Sequence, residues 1–488
     1  MSDLRSSVLK SRIARLPHLP AIHPGAEAEE ESGDGAGQSS SSMPPPPSLG
    51  APRRPLRSKD PTGGAFAPIS SEDCFSQALE VDVNYPTGSS SRSATFRVYY
   101  TPPLKSGPSS GTSRSAASSV STRAEAIDVD LDNLQAPVLM SGGDDDEDDA
   151  DDTDSSGGSG TVFVLHHGAG FGGLSYALVA REITRQTKGQ VGVLAFDCRG
   201  HGRTRVEPPE SSKDTSLFTL SSDLILLLKA VFGTATWPKL LFVGHSMGGS
   251  VVTKTVERLL SSSSSPDPLV SFSDRSTSPS ITGLAVLDVV EGTALDALEG
   301  MTAIVKAQPT GFASVEDAIR WHVDTGVLMN VESARRSVPS LVVPNPAFRE
   351  DGSGDRDDGE EEEEVLQGEA EGTLLSTPVP SSQHKLVWKA DLLSTAPYWR
   401  GWFEGMSQRF LTARSARLLL LAGTDRLDKD LMIGQMQGKY QLVVFPEVGH
   451  CLHEDAPERT AQVLVEFWRR NQLSVPIAKL KHARKVGQ

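Results

Sequence analysis

Leu240-Leu-Phe-Val-Gly244-His245-Ser246-Met247-Gly248-Gly249 is the stretch on which the fold turns. Four apolar residues in a row, with no polar alternation, suit a strand buried on both faces. Ser250-Val-Val-Thr-Lys-Thr-Val-Glu-Arg258 follows at once with a helical pattern. Between them lies G-x-S-x-G, which is common by chance but informative where a buried strand feeds it and a helix leaves it. So sharp a turn leaves no room for side chains at Gly244 and Gly248. It also sets the Ser246 hydroxyl at a helix N-terminus, which makes Ser246 a candidate nucleophile. The plainer alternative is a glycine-rich turn with a spectator serine.

Working outward, short β-rich runs alternate with helical patterns. The strand candidates are Val162–Leu165, Val191–Phe196, Leu240–Val243, Leu284–Leu287, Leu418–Leu421 and Gln441–Phe445. Helical segments between them, such as Asp223–Val231, imply βαβ crossovers and a parallel sheet. Upstream, Leu79–Val83 and Thr95–Tyr100 alternate as an antiparallel hairpin does. From Thr293 to Val338 the pattern is helical without strands, and Ser314-x-x-Asp317 reads as a capping box. This region is expected to sit above the sheet as a cap, over about 293–338. The sum is an α/β-hydrolase fold: a mostly parallel central sheet flanked by helices, spanning 74–474.

Several stretches fall outside that grammar. Residues 1–73, rich in Pro, Ser, Gly and Ala, read as a disordered extension. Polar inserts are expected near 105–125, 142–160, 261–280 and 346–383, and 475–488 reads as a loose basic tail. The formal net charge of -16 is concentrated. Residues 144–154 carry nine acids and no base, and residues 350–364 carry ten acids and Arg356, so the rest of the chain is nearly neutral. Each run reads as a solvated, self-repelling loop. The sharper alternatives are an electrostatic partner site or a weak divalent-cation trap. No basic patch suggests nucleic acid. No 18-residue apolar run suggests a membrane span, and no apolar stretch near the N-terminus suggests a secretory signal. Cys74, Cys198 and Cys451 lack metal-ligand spacing and fit a reducing compartment, so a cytoplasmic or nuclear protein is expected.

A serine hydroxyl is a poor nucleophile near neutral pH and needs a base. Phe445-Pro-Glu-Val-Gly449-His450 follows the last strand candidate, where this fold carries its histidine. His453 is a weaker candidate for the same role. His166, His167, His201 and His245 read as turn or packing histidines. The acid that orients the imidazole is open on the residues alone. Asp288 and Asp425 both end strands between Ser246 and His450, and either gives the order Ser, Asp, His. An oxyanion hole needs backbone N–H groups. Met247 supplies one, and the small residues of His166-His167-Gly168-Ala169-Gly170 supply the other, with Ala169 first and Gly170 next. Asp197-Cys-Arg-Gly-His201-Gly reads as a structural strand-exit turn. Tyr398-Trp-Arg-Gly-Trp-Phe403 suits either an acyl pocket or helix packing.

Longer motifs resemble one family. Asp288-Val-Val-Glu-Gly-Thr-Ala-Leu-Asp296, Tyr398 to Phe403, and Gly423-Thr-Asp-Arg-Leu-Asp-Lys-Asp-Leu-Met-Ile-Gly-Gln-Met-Gln-Gly-Lys439 are similar to stretches of the protein phosphatase methylesterases. So is Gly449-His450 through His453-Glu-Asp-Ala-Pro457. The resemblance covers roughly 74–104, 161–260, 281–345 and 384–470. It implies removal of the methyl ester from the C-terminal leucine of the type 2A protein phosphatase catalytic subunit, without a cofactor and with that subunit as partner. Its nucleophile falls on Ser246, its base on His450 and its acid on Asp288, leaving Asp425 structural or substrate-facing. The N-terminal extension, the acidic insert before the His-Gly strand and the Ser-rich 261–280 segment depart from the family pattern. His-Gly-Ala-Gly stands where the family often has His-Gly-Gly-Gly. The competing readings are a small-molecule or lipid carboxylesterase with the same residues, and a non-catalytic phosphatase-binding inhibitor.

Overall fold

A computed structural model describes residues 64–86, 92–104, 160–233, 237–261, 269–270, 279–348, 384–423 and 427–472. Both acidic runs, Asp425 and the 475–488 tail lie outside the described residues, as does most of each polar insert.

Strands β1 (Gln77–Asn84) and β2 (Ser93–Thr101) pair antiparallel, as their alternation requires. Then follow β3 (Thr161–His166), helix α1 (Ala177–Thr187), β4 (Val191–Phe196), a short edge strand β5 (Arg205–Glu207) and α2 (Leu217–Phe232). β6 (Lys239–His245) leads into α3 (Met247–Leu260), and β7 (Ile281–Leu287) into α4 (Glu291–Lys306). After α5 (Val315–Asp324) and α6 (Val331–Ser337) come β8 (Val342–Pro344) and β9 (Leu386–Trp388). The chain ends through α7 (Trp399–Phe403), α8 (Met406–Thr412), β10 (Ala416–Leu421), α9 (Lys429–Met436), β11 (Gln441–Val444), α10 (Leu452–Asp455) and α11 (Pro457–Gln472). Among the described residues the main sheet runs β1-β2-β4-β3-β6-β7-β10-β11, with β5 on β2. From β4 to β11 every neighbouring pair is parallel.

Side chains alternate across the strands. Val162, Val164, Leu240 and Phe242 therefore face one way, onto Leu224, Leu228 and Val252 of α2 and α3. Phe163, Leu165, Leu241 and Val243 face the other way, onto Ile183 of α1 and Leu464, Val465 and Phe467 of α11. Each side chain so buried contributes about 1.5–3 kcal/mol. With both faces covered, the strands need to be apolar at every position, and β3 and β4 are buried throughout.

The cap holds its own apolar cluster, with Phe312, Ile319, Leu328, Ala334 and Leu341 at its centre. Ser314 caps α5, accepting from the Asp317 N–H at 3.1 Å, as the capping box requires. Three differences from the sequence reading stand out. The cap extends past Val338 into the antiparallel pair β8/β9, three residues each, too short to give a periodic signal. Conversely α4 joins the sheet-side core through Leu295, Leu298 and Met301 rather than the cap. The boundary at Cys74 also falls late. The Arg335 carbonyl accepts from the Ile69 N–H, its guanidinium donates to the Ala67 carbonyl, and Arg336 pairs with Asp73, so residues 64–73 strap α6 to the body.

Candidate active site

The turn after β6 is set by close backbone approach. A Cβ on Gly244 would lie 2.2 Å from the Gly248 carbonyl oxygen, and one on Gly248 would lie 2.3 Å from that of His166. Ser246 takes φ 51°, ψ -122°, a conformation L residues seldom adopt, at a cost of about 1–3 kcal/mol. Its N–H donates to the Leu287 carbonyl at 3.0 Å, fastening the turn to the end of β7.

Asp288 is the next residue along β7. It too has positive φ, at 49°, and its side chain is fully buried. Its N–H donates to Leu420 at 2.8 Å. One carboxylate oxygen accepts from the Ala422 N–H at 2.8 Å, and the other lies 2.8 Å from His450 Nδ1. His450 thus reaches back across β10 to the end of β7. Its ring remains 44% exposed. Ser246, Asp288 and His450 all follow carboxyl ends of parallel strands, where open α/β sheets place their sites.

His245, the residue before Ser246, does more than the turn or packing role its sequence context suggests. Its Nε2–H donates to the His450 carbonyl at 2.9 Å, and the two rings lie 4.7 Å apart. Burial pushes the His245 imidazole down to about 3, so it stays neutral. His453, the weaker base candidate, is fully buried between Tyr176 and His245, and among the described residues neither ring nitrogen has a hydrogen-bond partner. Burial holds it well below the usual histidine range and away from solvent.

Gly170 was one expected oxyanion donor, and here the geometry corrects the sequence reading. Its N–H points at His201 Nε2, 2.9 Å away, while His201 Nδ1 binds the Arg199 carbonyl at 2.9 Å. Among the described residues the Ala169 and Met247 N–H groups have no such partner. Met247 is the first residue of α3, where backbone donors point out of the helix. Asp197 takes the Gly173 and Arg203 N–H groups at 2.8 and 2.9 Å, so it holds the neighbouring loops. Trp399, Trp402 and Phe403 are buried in the sheet-side core, which makes that aromatic stretch packing. Among the described residues no group of three or more His, Cys, Asp or Glu is placed to hold a metal ion, and no helix is long and apolar enough to cross a membrane.

Residues 163–463 match the alpha/beta hydrolase family. The chain is 36% identical over 483 residues to protein phosphatase methylesterase 1 of Cryptococcus neoformans var. neoformans serotype D, covering 96% of this chain and 93% of that one. The chain belongs to the protein phosphatase methylesterase family. Two further relatives of the same name agree. That of Gibberella zeae is 43% identical over 64% of this chain and 66% of its own, and that of Schizosaccharomyces pombe 39% identical over 64% and 76%. Membership in the methylesterase family makes the chain a hydrolase of carboxylic esters. The Asp288-Val-Val-Glu-Gly motif that signalled the family in the sequence carries both Asp288 and Glu291. The Glu291 carboxylate accepts from the Gly405 and Ser407 N–H groups at 2.7 and 2.9 Å, anchoring the start of α8.

Proposed function

We propose that this protein is a serine carboxylesterase that removes the methyl ester from the C-terminal leucine of the type 2A protein phosphatase catalytic subunit. The observation that carries this reading is the 2.8 Å contact between His450 Nδ1 and the buried Asp288 carboxylate, beside the strained Ser246 turn. A carboxylate at Nδ1 keeps the proton on that nitrogen and leaves Nε2 basic. The family relationship supplies the substrate class.

Ser246 Oγ bonds to the ester carbonyl carbon as its proton passes to His450 Nε2. The Ala169 and Met247 N–H groups take the oxyanion. The tetrahedral adduct expels the methoxy group, which receives the proton from His450 and departs as methanol. Water then attacks the acyl-enzyme, giving its proton to His450, and the leucine carboxylate is released as Ser246 regains its hydrogen. Asp288 stabilises the imidazolium in both halves. A cytosolic or nuclear setting, where the phosphatase would be met, suits three free, buried cysteines.

Ser246→Ala is expected to lose at least ~10³-fold in demethylation rate, since nothing replaces the nucleophile. The measurement is methanol release from methylated phosphatase, alongside fluorophosphonate labelling of the parent serine. Near-normal turnover by the variant refutes the assignment. Turnover of short-chain acyl esters with none of the methylated phosphatase would move the protein to a small-molecule esterase.

A further inference from the structure

We propose that Asp455 is a positioning residue for His450, a two-sided clasp that ties the loop carrying the base to the cap. The inference rests on the Ser246–His450–Asp288 reading above and adds how the base is aimed.

The His450 ring is half-exposed, and its Nδ1 contact with Asp288 can aim it only if the loop backbone is held in place. That backbone is gripped on both sides. On one side His245 Nε2–H donates to the His450 carbonyl. On the other, the Gly449 N–H donates to Asp455 Oδ2 at 2.8 Å. The approach is close enough that a Cβ on Gly449 would lie 3.0 Å from that oxygen. Asp455 has a second oxygen, and Oδ1 accepts the Met329 N–H at 2.8 Å. Met329 lies between α5 and α6, in the cap. The two oxygens therefore hold two different parts of the fold. Asp455 itself is fixed at the end of α10, its N–H donating to the Cys451 carbonyl at 2.9 Å. A parallel tie runs beside it, where Glu454 Oε2 accepts from Ser333 and Ser337 of α6 at 2.8 and 2.7 Å. The grip through His245 comes from the sheet, and the grip through Asp455 comes from α10, which Asp455 Oδ1 ties to the cap. A displacement of residues 326–330 on seating a substrate protein is thereby passed to Gly449, one residue from the base. Catalytic geometry is steep enough that a shift of about 1 Å costs on the order of 10²-fold in rate.

The test uses the full-length protein with p-nitrophenyl acetate, a substrate too small to need the cap. Asp455→Asn is isosteric and retains one acceptor, so one of the two ties is lost. Its kcat is expected to fall about tenfold with KM changed less than about twofold, and labelling of Ser246 by a fluorophosphonate should slow in step. Asp455→Ala, which loses both ties, should fall further. If both variants keep kcat within about twofold of the parent while Ser246→Ala is inactive, the clasp is refuted and the triad stands. A loss of activity that only tracks loss of folded protein in far-UV circular dichroism refutes it as well. Full turnover by Ser246→Ala overturns the triad reading and the clasp with it.

Discussion

The turn at Ser246 and the loop at His450 meet at one site but are held by opposite means. The turn at Ser246 is held by the absence of atoms. Gly244 and Gly248 let backbone pass backbone, Gly249 leaves room for the Val286 and Val289 side chains, and almost every contact lies within the turn or on an adjacent strand. The loop at His450 is held by polar atoms from far along the chain. Asp288 lies 162 residues away and His245 lies 205 away. The first device tolerates no addition of volume. The second depends above all on keeping each hydrogen-bond partner. A turn of the first kind is rigid by construction, whereas a loop of the second kind is only as well aimed as its partners allow.

The sharpest way to break this comparison is at the base. Asp288→Asn keeps the shape but offers an amide where a carboxylate should fix the Nδ1 proton, so kcat should drop by ~10³–10⁴-fold with little change in fold. Methanol release from methylated phosphatase measures it. If Asp288→Asn turns over normally and Asp425→Asn does not, the acid has been assigned to the wrong strand. At the turn the expected injury is different. Gly248→Ala puts a methyl 2.3 and 2.5 Å from the His166 and His167 carbonyl oxygens. The turn cannot yield without moving β3, so stability should fall by about 3 kcal/mol or more, read as a lower denaturant midpoint. Gly300→Ala, at an open position in α4 with nothing within 4 Å, should instead gain about 0.5–1 kcal/mol. Equal effects at the two glycines would contradict the packing account of the turn.

The same contrast explains what could be read from the sequence. Volume rules are local. The apolar runs of β3, β4 and β6 and the glycines around Ser246 signal their structure within ten residues, so the sheet and its turn were legible. Partner rules are not local. Nothing in Gly170 reveals that its N–H is taken by His201, thirty-one residues on. The roles of His245 and Asp455 were equally hidden, although each sits in a motif already marked, Gly-His-Ser and His453-Glu-Asp. The order Ser, Asp, His narrowed the acid to two aspartates. The resemblance pointed to Asp288, the one that lies 2.8 Å from the His450 ring, and Asp425 lies outside the described residues. The β8/β9 pair escaped because strands of three residues carry no periodicity.

A pH-dependent effect concerns the polar seam beneath the cap, where pairing is incomplete among the described residues. Glu454 is fully buried, its Oε2 takes two serine hydroxyls, and among the described residues its Oε1 has no partner. Burial pushes its carboxyl up to about 8, against the pull of Ser337 and Ser333, so it is neutral in the fold near pH 7. In the unfolded chain the same group ionises near its ordinary value of about 4.5. Between those two values the native state binds the extra proton, so stability falls as pH rises from about 4.5 to about 8 and levels off above. Glu454→Gln keeps the shape and an oxygen for both serines but cannot ionise. Its melting temperature should match that of the parent near pH 4.5 and exceed it increasingly toward pH 8. Asp455, raised by burial, and His453, lowered by it, slope in opposite senses in both proteins. Their contributions largely cancel in the difference between the two melting curves. A difference that does not grow with pH would mean that Glu454 is ionised in the fold. The seam would then be a charged contact, held as the His450 loop is held, rather than a buried neutral one.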